Sequence, residues 1–297
     1  MKLSDRLAAA TMHATARWTV RYGEVLRFAG SDLPRPRLIR VPTRHGRVRV
    51  HVYRPLAEPV PGAAHVHFHG GAFLMRYPFM DDWWCRYLAA TTTVPVLNVD
   101  FRAAPYVAYP VAHHQCHDVA EWAAQGGGDL GLDGDRISVG GFSSGGNLAA
   151  SVGLQARDGG HWLPALQVLG IPVLDFHGES GHDERGMITP QLRALVRRVY
   201  FPDPASRLEP WASPLRAPDL SGLPPAVVLT AERDVLRHDG RRYAMRLREA
   251  GVPVHHDETP GADHYFLTEN PVRARTTMAM VAESIRSAIA EGTSKTE

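Results

Sequence analysis

The chain has 297 residues, 44% of them hydrophobic, and a formal net charge of +2. This length and composition predict a globular protein with one large domain and a smaller subdomain. The small net charge gives no indication of a nucleic-acid or anionic-membrane partner, no apolar run is long enough to span a bilayer, and the amino-terminal residues lack the apolar core of a signal peptide.

Strand-like and helix-like runs alternate through the middle of the chain. Strands are predicted near residues 38–42, 46–54, 64–69, 94–99, 136–141, 166–171, 225–231 and 252–258. Helices are predicted near residues 79–91, 112–125, 144–157, 237–250 and 273–290. The later strands are nearly continuous apolar runs, as in buried parallel strands. This order predicts an α/β fold with a mostly parallel eight-stranded sheet flanked by helices.

Two segments do not fit the pattern of the sheet. Residues 1–30 look helical and moderately amphipathic. Residues 177–211 contain a charged loop and then a helix that Thr189 can cap, with Pro190 at its first position. These two segments are therefore the candidates for a separate small subdomain.

A sharp strand-to-helix turn lies at Gly141–Gly146, which contains the pattern G-x-S-x-G with Ser143 at its centre. A strand-like run precedes it and a helix-like run follows, which is the setting of a nucleophile elbow. The glycines beside the serine have a physical role, because side chains there would collide with the strand and the helix. The pattern predicts that Ser143 carries a reactive hydroxyl.

A serine nucleophile needs a base, and the base needs an acid that orients it. Asp234 lies just past the carboxyl end of a predicted strand, where open α/β sheets place their chemistry. His264 lies in a turn-rich loop after the next predicted strand. The chain order Ser143, Asp234, His264 is the order found in α/β-hydrolases.

Other residues compete for these two roles. Asp239 lies within the following helix-like run, Glu232 lies closer to the strand, and Asp263 is adjacent to His264 in sequence. His255 and His256 lie inside a strand and are poorly placed as bases. Asp234 is the preferred acid, and the three other carboxylates stay open as alternatives.

Acyl transfer also needs donors for the oxyanion of the tetrahedral intermediate. The predicted third strand ends at His69, and small residues follow it. Backbone N–H groups of Gly70, Gly71 and Ala72, together with that of Ser144, are the candidate donors. Ala72 stands where a glycine is usual, a replacement that matters only if φ there must be positive.

Two histidine groups could instead bind a metal ion. His65, His67 and His69 alternate along one predicted strand and so share one side of it. His113 and His117 are four residues apart on a predicted helix, a spacing that can hold zinc. The strand histidines lack an adjacent carboxylate, and the helix lacks the pattern H-E-x-x-H. We therefore predict no metal site.

The chain resembles the hormone-sensitive-lipase-like esterases, the bacterial family IV of the α/β-hydrolases. Four sequence blocks carry the resemblance, over about residues 41–264. They are His69–Phe73, close to H-G-G-G-F; Val99–Pro105 with Tyr109–Ala112, close to V-D-Y-R-L-A-P and F-P-A; Asp133–Ala149 around the serine; and Ser213–Leu215 with Leu223–Asp239, close to S-P-L and L-P-P-x-x-x-x-x-A-x-x-D-x-L-x-D.

Three positions depart from the family pattern. Phe142 and Tyr106 stand where the family usually has acidic residues, and Ser144 stands where it usually has alanine. The change at Ser144 keeps the backbone donor. The other two changes affect the polarity around the elbow and a structural ion pair, and they bear on substrate preference.

The resemblance implies a small helical cap over the active site. The implied divisions are an amino-terminal cap and lead-in at 1–40, the catalytic core at 41–176, a cap insertion at 177–211 and the rest of the core at 212–297. The aromatic candidates for the substrate pocket are Phe73, Trp83, Phe142, Tyr200 and Phe201.

The resemblance implies a serine carboxylesterase that hydrolyses small esters with short to medium acyl chains and requires no cofactor. The alternatives are an amidase, peptidase or lactonase with the same triad, and a binding protein that has lost catalysis. Family members often form homodimers, so the resemblance leaves a homodimer open, and the sequence does not decide the oligomeric state. Cys85 and Cys116 are too few for a disulfide scaffold, so we expect free thiols and a cytoplasmic location.

Overall fold

Eight strands in the described part of the chain form one sheet. In chain order they are β1 (Arg37–Val41), β2 (Val48–Tyr53), β3 (Ala64–Phe68), β4 (Val96–Asp100), β5 (Ile137–Phe142), β6 (Leu166–Gly170), β7 (Ala226–Ala231) and β8 (Val254–Thr259). The computed structural model describes residues 2–20, 22–178 and 186–292. The spatial order is β1-β2-β4-β3-β5-β6-β7-β8. Strand β2 is antiparallel to both its neighbours, and the strands from β4 to β8 in that order are parallel.

Helices flank the sheet and precede it. They are α1 (Leu3–Thr19), α2 (Asp82–Thr92), α3 (Val111–Ala124), α4 (Ser144–Gly159), α5 (Pro190–Val199), α6 (Arg237–Glu249), α7 (Phe266–Glu269) and α8 (Pro271–Gly292). The eight predicted strands and the five predicted core helices are confirmed, with boundaries that differ by a few residues. None of the described helices is long and apolar enough to cross a bilayer.

Apolar side chains bury both faces of the sheet. Along β7, Ala226 and Val228 belong to one buried cluster, whereas Val227 and Leu229 belong to the other. This alternation follows from the two-residue period of a strand. Residues of α3, α4 and α6 complete the first cluster, and residues of α2 and α8 complete the second. The sheet is therefore covered on both faces, which explains its continuous apolar strands.

The amino-terminal helix is shorter than the predicted span of 1–30. It ends at Thr19, because Val20 is extended and Gly23 adopts a left-handed φ of 96°. The predicted cap of α5 is confirmed: the Thr189 hydroxyl accepts a hydrogen bond from the backbone N–H of Leu192 at 3.2 Å. An ion pair of 2.8 Å between Asp5 and Arg198 joins α1 to α5. These two helices thus contact each other outside the sheet.

Three histidines are buried in the core as neutral side chains. Burial lowers the pKa of His65 and of His113 to about 3, and the pKa of His69 to about 4. Their hydrogen bonds go to protein groups: His65 Nδ1 lies 2.9 Å from the Ser138 hydroxyl, and His113 Nε2 lies 2.9 Å from the Asn147 carbonyl oxygen. Protonation of these rings is therefore far less favourable in the folded state than in the unfolded chain.

Because of these three histidines, we expect the free energy of unfolding to fall as the solution is acidified. A histidine with a lowered folded-state pKa contributes stability that is complete above its unfolded pKa of about 6.5 and is lost as pH falls toward the folded value. Between those limits each one contributes a slope of up to about 1.4 kcal/mol per pH unit. Urea unfolding at a series of pH values from about 7 to 5 measures the slope.

A matched pair of substitutions tests whether the buried histidines cause this dependence of the free energy of unfolding on pH. His113→Gln keeps an amide that can reach the same partners and removes one titrating ring, so the slope should decrease by about one histidine's share. His161→Gln changes an exposed histidine and should leave the slope as it is. An undiminished slope in His113→Gln would show that this buried ring does not control the acid sensitivity.

Candidate active site

Ser143 occupies a strained position at the carboxyl end of β5, immediately before α4. Its φ of 56° and ψ of −114° lie in a region that L-residues avoid. Such a conformation costs about 1–3 kcal/mol and persists only where the surrounding structure enforces it. Here the Ser143 N–H donates to the Gly170 carbonyl at 2.8 Å. The side chain lines a cavity at this edge of the sheet.

The glycines around Ser143 leave no space for a side chain. A Cβ atom at Gly145 would lie 1.9 Å from the Phe68 carbonyl oxygen and 2.9 Å from that of His69. A Cβ atom at Gly141 would lie 2.3 Å from the same Phe68 oxygen. The start of α4 and the end of β3 thus approach each other at backbone distance. Glycine is required here by contact with backbone, which cannot rotate away.

We expect Gly145→Ala to destabilise the fold by about 3 kcal/mol or more, because overpacking against rigid backbone adds to the usual cost of an inserted methyl group. It should also displace the end of β3 and thereby reduce activity. Gly153→Ala on the same helix is the matched control, since its nearest neighbours would lie at 3.5–3.6 Å. That variant should gain up to about 1 kcal/mol from helix propensity. Thermal and urea unfolding measure the stability of both variants. Equal stability of Gly145→Ala and Gly153→Ala would contradict the requirement for glycine at position 145.

His264 and Asp234 form a buried hydrogen-bonded pair. Asp234 follows β7 and His264 follows β8, so both lie at the edge of the sheet where β5 ends. Nδ1 of His264 lies 2.7 Å from Oδ2 of Asp234. The other carboxylate oxygen accepts the backbone N–H of Leu236 at 3.0 Å. Asp234 is fully buried, His264 is 4% exposed, and His264 lines the same cavity as Ser143.

The competing carboxylates have other partners. Asp239 accepts backbone N–H groups from the loop after β6, and Glu232 accepts one from the turn after β8. Asp263 accepts the backbone N–H of His264 at 2.7 Å rather than its ring. Of the four candidates, Asp234 is therefore the carboxylate that contacts the imidazole of His264.

Three residues after β3 line the cavity together with His264, which lies in the loop 260–265 between β8 and α7, here called the histidine loop. Gly70, Gly71 and Ala72 all border the cavity, and no acceptor for the N–H of Gly71 or Ala72 lies among the described residues. Gly71 has φ 105° and Ala72 has φ 56°. The replacement of glycine at position 72 is therefore not neutral, because alanine is strained at this φ. Ser144 is buried at the first position of α4, where the N–H groups of a helix point outward.

The cavity encloses about 770 Å³ of empty space, part of it open to solvent. Trp83 and Phe142, two of the candidates for the substrate pocket, line it. The Phe142 ring packs against Trp84 at 5.1 Å and against Trp83 at 6.0 Å, so this side of the cavity is apolar. Other apolar side chains of the wall are Met75, Met80, Ile171 and Leu192.

Three predicted pocket residues lie elsewhere. Phe73, Tyr200 and Phe201 are buried against one another, with the rings of Phe73 and Tyr200 stacked at 4.6 Å. They pack on His113 in the core rather than on the cavity wall. The positive φ values of Ala72 and Phe73 turn the backbone, and the Phe73 side chain enters this aromatic cluster. Their assignment to the pocket was therefore wrong.

The histidines weighed as metal ligands are engaged by protein groups. His67 Nε2 lies 2.9 Å from Asp81, and His69 Nδ1 lies 2.7 Å from the Gly70 carbonyl. His113 uses both ring nitrogens, for Asn147 and for Tyr200, so it cannot share an ion with His117.

A second set of candidate metal ligands lies on α3. Ligand atoms of His117, Asp118 and Glu121 lie within 4.8 Å of one another. The carboxylate of Asp118 is already bound by the guanidinium of Arg44. A cation at this place would have to displace Arg44 from that carboxylate.

Several residues of the cavity wall were not among the predicted pocket residues, because the sequence indicates their positions only weakly. Tyr265 follows His264 directly, and Ile171 follows β6 at the same edge of the sheet, so their positions could have been inferred from the motifs. Met187 comes from the segment before α5. Tyr22, between α1 and β1, belongs to no motif, and only the folded structure places it in the cavity.

Several proteins that this chain is similar to are named esterases or ester hydrolases. A family described by the alpha/beta hydrolase fold matches residues 65–268. The chain is 35% identical over 241 residues to an arylesterase of Saccharolobus solfataricus, covering 80% of this chain and 78% of that protein. It is 33% identical to an ethyl acetate hydrolase of Pseudomonas putida, covering 82% and 80%. An esterase structure from Pyrobaculum calidifontis is 34% identical, with a TM-score of 0.86 and coverage of 97% and 95%.

Proposed function

Because this chain belongs to the hormone-sensitive-lipase-like branch of the α/β-hydrolase family and is a carboxylic ester hydrolase, we propose that Ser143, His264 and Asp234 are its catalytic triad. The observation that carries the proposal is the buried contact of 2.7 Å between His264 Nδ1 and Asp234, beside a cavity that Ser143 also lines. A serine at a strained strand-to-helix turn, in the same cavity as such a pair, is equipped for nucleophilic attack.

The hydrolysis proceeds in two half-reactions. The Ser143 hydroxyl attacks the ester carbonyl carbon while Nε2 of His264 takes its proton, and Asp234 holds the ring in the required tautomer. The imidazolium then gives this proton to the alcohol oxygen as the ester C–O bond breaks, which leaves an acyl-serine. Water attacks the acyl carbon with His264 again as the base, and the acid and free Ser143 are released.

Backbone N–H groups stabilise the oxyanion in both half-reactions. Gly71 and Ala72 supply donors from the turn after β3, with Gly70 beside them, and Ser144 supplies one from the start of α4. Each such donor contributes about 10²- to 10³-fold to the rate. The mechanism moves protons and acyl groups alone, and the chain needs no cofactor for it.

The proposed substrates are small, largely apolar esters with short to medium acyl chains, and the lining of the cavity supports this proposal. Its wall is formed mostly by methionine, tryptophan, phenylalanine, isoleucine and leucine side chains. Burial of apolar substrate surface against such a wall favours binding by roughly 0.8 kcal/mol for each methylene group. The named substrates and activities of the relatives, an arylesterase and an ethyl acetate hydrolase, are in keeping with esters of this size.

Two measurements test this proposal. A fluorophosphonate probe should label Ser143, and tryptic mapping should locate the adduct on the peptide that contains it. A panel of p-nitrophenyl esters should be hydrolysed faster than the matched p-nitroanilides. Absence of labelling would identify a non-catalytic protein, and faster turnover of anilides would identify an amidase instead.

A further inference from the structure

Tyr22 connects the amino-terminal segment to the wall of the cavity. Its ring lines the cavity and stacks on Tyr265, with centroids 4.5 Å apart and planes inclined by 19°. Tyr265 directly follows His264 and lines the same cavity. The stacked pair therefore forms a continuous piece of wall between the segment after α1 and the histidine loop.

A buried carboxylate holds the hydroxyl of this tyrosine. The Tyr22 hydroxyl donates to Oδ1 of Asp81 at 2.8 Å, and Oδ2 of Asp81 lies 2.9 Å from Nε2 of His67. Asp81 and His67 are both fully buried. Burial, with Asp81 nearby, raises the pKa of Tyr22 well above its usual value, so its hydroxyl stays protonated and can donate. The ring is thus fixed at both ends, by a stack and by a hydrogen bond.

The hydrogen bond matters because a buried carboxylate is costly without partners. Asp81 ends a short turn just before α2 and cannot move toward solvent without disturbing that helix. His67 belongs to β3, in the centre of the sheet. The hydrogen bond to Asp81 therefore fixes the Tyr22 ring against the core of the protein. Its position does not depend only on the conformation of the amino-terminal segment.

We propose that Tyr22 determines the size of the ester that the cavity accepts, and that its bond to the buried Asp81–His67 pair holds it in the restricting position. The inference rests on the proposed function of the same cavity. The ring occupies wall space that a longer acyl or alcohol group would need. Removing the ring opens that space, and removing only the hydroxyl releases the ring from Asp81 while preserving the stack on Tyr265.

The test compares Tyr22→Ala and Tyr22→Phe with the wild type over two substrate series. One series varies the acyl group from p-nitrophenyl acetate to decanoate, and the other varies the alcohol from methyl to hexyl butyrate. For Tyr22→Ala we expect the kcat/KM ratio of long to short substrates to rise by about tenfold or more in at least one series. This corresponds to about fourfold for each methylene group that becomes newly buried. Tyr22→Phe should shift the same ratio in the same direction by about two- to fivefold.

Tyr106→Ala is the matched control. Tyr106 is 62% exposed and contacts α1 through the ring of His13, so this variant alters a tyrosine contact with the amino-terminal helix outside the cavity. The sequence comparison with the family pattern links Tyr106 to substrate preference, but Tyr106 does not line the cavity, so the size profile of Tyr106→Ala should equal that of the wild type. If Tyr22→Ala does not fold, Tyr22→Leu takes its place in the test, because leucine keeps an apolar side chain at this position but removes the ring.

Identical profiles for Tyr22→Phe and the wild type would overturn the role of the hydrogen bond to Asp81. Identical profiles for Tyr22→Ala and the wild type in both series would overturn the whole inference. Fluorophosphonate labelling of each variant separates these outcomes from a failure of the proposed function. A wild type that is not labelled at Ser143 refutes the esterase mechanism itself, whereas a labelled variant with an unaltered profile refutes only the role of Tyr22.

Discussion

Replacing Ser143 by alanine is expected to lower kcat for ester hydrolysis by about 10⁴- to 10⁶-fold, because the nucleophile of the proposed mechanism is lost. The residual rate would come from the oxyanion donors and from substrate binding in the cavity. The fold should be intact, since the Ser143 hydroxyl makes no hydrogen bond among the described residues. Kinetics with p-nitrophenyl butyrate, together with thermal unfolding, measure both properties.

A second substitution at this position separates catalysis from strain. Ser143→Gly should be equally inactive but more stable than Ser143→Ala by about 1 kcal/mol. Glycine tolerates a φ of 56° with a ψ of −114°, and part of this gain is offset by its greater freedom in the unfolded chain. Retention of more than a tenth of the wild-type kcat in Ser143→Ala would remove Ser143 from the mechanism.

The sequence predicted most of the fold and the three triad candidates because these depend on local patterns. Apolar runs define the strands, and G-x-S-x-G reports a turn that few other residues permit. Asp234 and His264 could be selected because each follows a strand, and the ends of parallel strands lie at one edge of a sheet. The choice of Asp234 over Asp263 depended on position, and the contact with the His264 ring agrees with it.

The wall of the cavity could be predicted only in part because it depends on side-chain direction. Phe73 lies four residues after His69, but the left-handed turn at Ala72 and Phe73 sends its ring into the core. Nothing in the local sequence shows that turn, since alanine and phenylalanine rarely adopt it.

The hydrogen bonds that hold Tyr22 in place could not be predicted either, but the reason is different. The contact between Tyr22 and Asp81 spans 59 positions of the chain, and the contact between Asp81 and His67 spans 14. In the sequence, His67 is one of three alternating strand histidines with no adjacent carboxylate. The carboxylate that pairs with it comes from the turn before α2, and only the folded chain brings the two together.

Asp234→Asn is expected to lower kcat by about 10⁴-fold while the fold is retained. One carboxylate oxygen of Asp234 accepts the backbone N–H of Leu236 at 3.0 Å, so the amide oxygen of an asparagine should take that place. The amide NH₂ then faces Nδ1 of His264 and donates to it. This forces the proton of the neutral ring onto Nε2, which can no longer accept the proton of Ser143. Steady-state kinetics and thermal unfolding measure the two properties.

Asp263→Asn is the matched control for the acid, because Asp263 is adjacent to His264 and carries the same charge. Its oxygens accept the backbone N–H groups of His264 at 2.7 Å and of Met187 at 3.1 Å, and neither contacts the imidazole. Its kcat should therefore fall by less than about tenfold, through a small displacement of the histidine loop. If Asp263→Asn lost as much activity as Asp234→Asn, the orientation of the imidazole would depend on the loop rather than on one carboxylate. A large loss at Asp234 alone requires that the proton on Nδ1, held by that carboxylate, is what makes His264 a base.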